Sequence, residues 1–95
     1  MTGPQHPTAA EALLAEAFQL IERGRLDDAA AKAKAALAGG GPADAAHHVL
    51  GLCALAQNRI DPACASFREA SRLAPRAAEH AVMLGVALGQ AERHA

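Results

Sequence analysis

Alanine is by far the commonest residue of this 95-residue chain, and it dictates helix. An alanine loses no side-chain entropy on joining a helix, whereas the β-branched residues that favour strands are scarce here. Strands are not expected. The chain is 52% apolar but only 2% aromatic, with neither Trp nor Tyr, so its interior has to be built from aliphatic side chains and alanine. At this length one small domain is the limit, which excludes a large multi-domain enzyme.

Helix breakers cut the chain into five helical pieces. They are Pro4 and Pro7, Gly24, the run Gly39-Gly40-Gly41-Pro42, Asn58 with Asp61-Pro62, and Pro75. Residues 1–7 read as a disordered tail. The first helix starts at Thr8, whose hydroxyl caps free backbone N–H groups while Glu11, three residues on, completes a capping box, and it frays at Gly24. The second runs over about 27–38, with Gly39 placed to take the left-handed conformation that ends it. The third covers about 44–57 with Asp44 as its cap. Asp61 and Pro62 read as cap and first-turn proline of a fourth helix that ends before Pro75. A fifth starts near Ala77.

Sliding the sequence by 34 residues superposes Leu26 on Ile60, Asp27 on Asp61, Ala29 on Ala63, Ala36 on Ala70, and Ala17 on Gly51 on Gly85. A repeated helical hairpin accounts for that coincidence. Residues 44–77, with Leu50-Gly51, Ala54, Ile60, Ala63, Phe67, Ala70 and Pro75 at the signature spacings, resemble a tetratricopeptide repeat. Residues 10–43 are a weaker copy, with Ala33 where the large aromatic stands and Glu16 where leucine stands. Residues 78–95 match only the first helix of a third copy, through Leu84-Gly85 and Leu88. The resemblance implies an all-α fold of antiparallel hairpins stacked as a short right-handed solenoid over residues 8–95, with the fifth helix as a cap. At the crossing of the second hairpin, Gly51 and Ala63 are small so that the backbones approach closely and large neighbours interdigitate, with Leu50 and Phe67 projecting from the packed faces.

Little in the chain points to chemistry. His6 and His94 sit near the ends, and His47 and His48 are adjacent, hence about 100° apart around a helix rather than aimed at one ion. The family position of His47 is one for a large interface side chain, His48 points to the expected groove, and His80 reads as solvated. Cys53 and Cys64 read as small core residues, and Ser66 and Ser71 have no base and orienting group beside them. The glycine run lacks the lysine and the preceding strand of a phosphate loop. We therefore expect no catalytic residue, no cofactor and no metal. Arg68, Arg72 and Arg76 form a row at i, i+4, i+8 that reads as an exposed stripe. A net charge of −1 offers no field for nucleic acid or an anionic membrane, and no stretch approaches the ~20 apolar residues of a span. The start lacks the features of a secretory signal, so the chain reads as soluble and cytoplasmic.

Function is then expected on the concave face, where the resemblance implies a groove that holds a partner's peptide or helix. The matching residues are Leu14, Phe18 and Ile21 from the first helix, His48, Leu52 and Leu55 from the third, and Val82, Met83 and Val86 from the fifth. Independently of the family, the first two sets recur at i, i+4, i+7 and give their helices a second apolar face. Such a surplus face calls for a cover. These positions lack the lysine, asparagine and arginine with which related repeats clamp acidic chaperone tails, so an amphipathic helix or apolar segment suits them better. The leading expectation is a non-catalytic protein-interaction module, free-standing or the amino-terminal part of a longer protein. The alternative is a self-assembling structural protein, a homo-oligomer formed by groove burial or by exchange of the fifth helix.

Overall fold

A computed structural model describes residues 8–94, and the tail expected over residues 1–7 lies outside them. The described residues form five helices and no strand: α1 (Ala9–Glu22), α2 (Leu26–Ala38), α3 (Ala43–Ala56), α4 (Ile60–Leu73) and α5 (Ala78–His94). None is long and apolar enough to cross a membrane.

The expected capping box opens α1: the Thr8 hydroxyl accepts from the Glu11 N–H at 3.1 Å, and the Glu11 carboxylate accepts from the Thr8 N–H at 3.3 Å. At the other end, the Arg25 N–H reaches back to the Leu20 carbonyl and the Gly24 N–H to Ile21, a closure that needs a left-handed residue at Gly24 (φ 75°). Thirty-four residues on, the Arg59 N–H bonds Leu20's counterpart Ala54, and Asn58 bonds Leu55 with φ 59°. Asparagine takes the left-handed conformation at lower cost than most residues with a side chain, so it can stand where glycine stood. The limits of α1 also recur in α3 at that offset.

Three expected helix starts and stops shift by a residue or two. The left-handed residue after α2 is Gly40 (φ 75°), not Gly39 (φ −84°), because the closing bonds run from Gly40 to Leu37 and from Gly41 to Ala36. With the turn finished at Gly41, Pro42 takes the cap position of α3 and its carbonyl receives the Ala46 N–H; Asp44 falls inside the helix and makes no cap. Likewise Arg59 closes the turn before α4, so Ile60 starts that helix and Pro62 is its third residue. The missing N–H of Pro62 costs nothing there, since first-turn donors have no partner in the helix.

Consecutive helices pack against one another. They run antiparallel, as contacts between residues at comparable distances on either side of each turn require. Glu16 meets Lys32 at 3.0 Å across the first turn, Asp27 accepts from Gln57 Nε2 at 2.8 Å across the second, and Gly51 faces Phe67 across the third. Helices α1 and α3 also touch, so these two lie side by side in an elongated body of 55 × 29 × 20 Å.

Two apolar clusters fill the interior. The first joins Leu14, Ala17, Ala29, Ala33, Ala36 and Val49 from α1, α2 and α3; the second joins Ala54, Ala63, Cys64, Phe67 and Ala87 from α3, α4 and α5. Alanine dominates both, so the helix axes lie close and few large side chains carry the packing. At the crossing of α3 and α4 a Cβ added to Gly51 would sit 2.7 Å from two carbons of the buried Phe67 ring. Glycine is therefore required there by space. Cys53 and Cys64 are both free and buried, and burial pushes the Cys53 thiol up from its ordinary pKa.

Candidate partner-binding face

The expected groove residues separate into three groups. Phe18, Val82 and Val86 are exposed, at 43%, 62% and 44% of their surface. Ile21 is half-buried against the first cluster, and Leu52, Leu55 and Met83 are half-buried against the second. Leu14 departs from expectation: it is 5% exposed and belongs to the first cluster. The stripe that α1 turns inward is Ala10, Leu14 and Ala17, at i, i+4, i+7, while Leu13 and Leu20 flank it half-buried. That inward turn removes Leu14 from the face and leaves Phe18 at its edge.

The exposed apolar side chains of α5 continue past the expected pair to Leu88, and Leu73 near the end of α4 is exposed as well. Between Val82 and Gly89, a Cβ built at Gly85 or Gly89 meets nothing within 4 Å, so the outer side of α5 is low and smooth. An open cleft of ≈ 420 Å³ lies elsewhere, between α1 and α2, among Glu16, Arg23, Arg25, Asp28 and Lys32. A smaller one of ≈ 200 Å³ is bordered by Lys34, Leu50, Gln57 and Ser66. None of the expected groove residues lines either cleft.

His48, expected in the groove, is instead tied to α5. Its Nδ1 lies 2.8 Å from Nδ1 of His80, whose Nε2 donates to Asp44 Oδ2 at 2.9 Å. The expectation that His80 is solvated fails: it is 1% exposed, and burial is tolerable because both ring nitrogens have partners. The His48 ring stands at 70° to the Phe67 ring with centroids 5.3 Å apart, an edge-to-face contact. Burial, reinforced by the charge of His80, holds His48 below the ordinary histidine pKa against the opposing pull of Glu79 and Asp44. The hydrogen bond from His80 holds the Asp44 carboxyl below its ordinary value. This cluster escaped the reading of the sequence. Its one local signal is the i, i+4 placement of Asp44 and His48 on a single face of α3.

Other charges behave as a wetted exterior. Arg72, one of the expected row of three, pairs with Glu69 on its own helix, a bond that together with the nearby His47 keeps the Glu69 carboxyl below its usual range. Arg68 and Arg76 are exposed. Among the described residues no three His, Cys, Asp or Glu side chains are grouped so as to hold a metal ion. Comparison of the chain with family models, with curated proteins and with solved structures finds no match.

Proposed function

We propose that this chain is a short stack of tetratricopeptide-type hairpins, wound right-handedly, whose odd-numbered helices present an apolar face to an amphipathic helix of a partner protein. The architecture is supported by the 34-residue recurrence of helix limits and turn bonds, by the α1–α3 contact, and by the glycine-on-phenylalanine crossing at the family's signature positions. Function rests chiefly on one observation: Phe18, Val82 and Val86, all on odd-numbered helices, remain exposed in a chain whose other apolar residues are mostly covered. With Leu52, Leu55 and Met83 half-open beside them, three or four anchors contribute about 1.5–3 kcal/mol each when buried. After the cost of ordering a peptide, micromolar affinity follows.

A second reading draws on α5. Its exposed Val82, Val86 and Leu88, with the open space over Gly85 and Gly89, suit pairing between copies of the chain. Light scattering at low micromolar concentration separates the two, the first requiring a monomer. A fluorescent 18-residue peptide with leucines at i, i+3, i+4 and i+7 then probes the face directly. Saturable binding to the wild type, abolished in Phe18→Asp and Val82→Asp at unchanged helicity, is expected. Absence of binding, or equal binding by the variants, overturns the interaction reading; a dimer split by Val82→Asp puts self-assembly in its place.

A further inference from the structure

The chain Asp44, His80, His48 restricts where its own protons can sit. An ionised carboxylate only accepts, so Nε2 of His80 carries a hydrogen whenever Asp44 is charged. In neutral His80 the remaining nitrogen, Nδ1, is a lone pair, and His48 must donate to it from its own Nδ1. One added proton reverses that bond. His80 then holds hydrogens on both nitrogens and donates through Nδ1, while His48 keeps its single hydrogen on Nε2 and accepts. Both states preserve both hydrogen bonds. A second added proton places N–H against N–H at a separation of 2.8 Å, and no tautomer relieves it because an imidazolium has no lone pair.

We propose that Asp44, His80 and His48 form a proton-counting latch on α5, closed with zero or one added proton and opened when both imidazoles are charged. The placement suits a latch. Asp44 and His48 belong to α3 and His80 to the first turn of α5, so the two bonds tie the fifth helix directly to the third, in addition to its packing on α4. His80 is 1% exposed, so water cannot screen the opposed charges while α5 stays docked. The charges facing His48 are His80 and Glu79 from α5 and Asp44 from its own helix; α4 presents the Phe67 ring, and its Glu69 acts on His47 instead.

The direction in pH follows. His48 titrates below the ordinary histidine value in the docked state, so the undocked state binds more protons. Docking is then fully favoured above about pH 6.5, the value of a free histidine, and weakens as pH falls toward the depressed value of His48. Asp44 acts in a separate window. Its carboxyl is also depressed, so its contribution is present above the ordinary carboxylate value of about 3.9 and disappears as pH falls through the depressed one. Release of α5 therefore precedes general acid unfolding. This latch does not depend on any partner.

Hydrogen–deuterium exchange on the full chain from pH 7.5 to 4.5, corrected for intrinsic rates, tests it. The protection of amides 81–90 relative to those of α1 and α2 should fall on acidification, approaching about tenfold per pH unit for one extra proton. In His48→Asn the amide occupies the place of Nδ1 and donates or accepts without charge, so the slope should vanish. A flat ratio in the wild type, or the same slope in His48→Asn, overturns the latch. Should His48→Asn fail to fold, ring nitrogen resonances of the wild type decide. His48 should carry its hydrogen on Nδ1 at high pH, move it to Nε2 with the first proton, and charge only with the second. Two rings titrating independently, with His48 keeping one tautomer, refute the proposal.

Discussion

Replacing Gly51 by alanine puts the helix crossing to a quantitative test, because the same substitution at Gly85 supplies its control. Both glycines lie inside helices, where alanine is favoured by about 1 kcal/mol. At Gly85 the new methyl meets nothing within 4 Å, so Gly85→Ala should gain about 0.5–1 kcal/mol. At Gly51 the methyl would stand 2.7, 2.7 and 2.9 Å from three carbons of Phe67, where carbon atoms normally rest about 3.5–4.0 Å apart. Phe67 is wholly buried, so its ring has no open side to move into and α3 and α4 must separate. Overpacking of this kind costs about 1–3 kcal/mol, and contact with three atoms of a confined ring places it near the upper end. The net effect is a loss of about 1–2 kcal/mol, against a gain at the control site. With a urea slope of about 1 kcal/mol/M, the midpoint of Gly51→Ala should fall by about 1–2 M while that of Gly85→Ala rises. The double variant Gly51→Ala with Phe67→Leu should cost less than the sum of the single variants. If Gly51→Ala is as stable as Gly85→Ala, the close crossing is wrong.

Two further outcomes follow from the same packing. Phe67→Ala empties the centre of the second cluster and should cost about 3–5 kcal/mol, enough to abolish the cooperative thermal transition of a domain this small, as circular dichroism would record. Asp44→Asn removes the group whose depressed pKa links folding to pH in the acid range. Denaturation midpoints that fall below about pH 4 in the wild type should fall less steeply in the variant; equal slopes would show that the Asp44–His80 bond contributes nothing.

Helix and turn could be read from the chain because each depends on neighbours in sequence. The capping box at Thr8 and Glu11 spans four residues, and the starts and stops that shifted did so by one or two positions once the turn bonds at Gly40 and Arg59 fixed the register. The crossing of Gly51 with Phe67 follows instead from the family resemblance, whose signature positions both residues occupy. What escaped depends on rotation and on distant pairing. Alanine-rich helices carry weak apolar contrast around their circumference, so α1 could turn Leu14 inward as readily as Leu13. His80 is separated from Asp44 by 36 residues and the whole of α4, and nothing near it in sequence announces a buried partner.

Helix α3 belongs to both apolar clusters, Cys53 closing one and Ala54, the next residue, opening the other. The principal contacts between the first two helices and the last two all pass through it. Any mechanical link between the two ends of the molecule therefore has to run through this one rod.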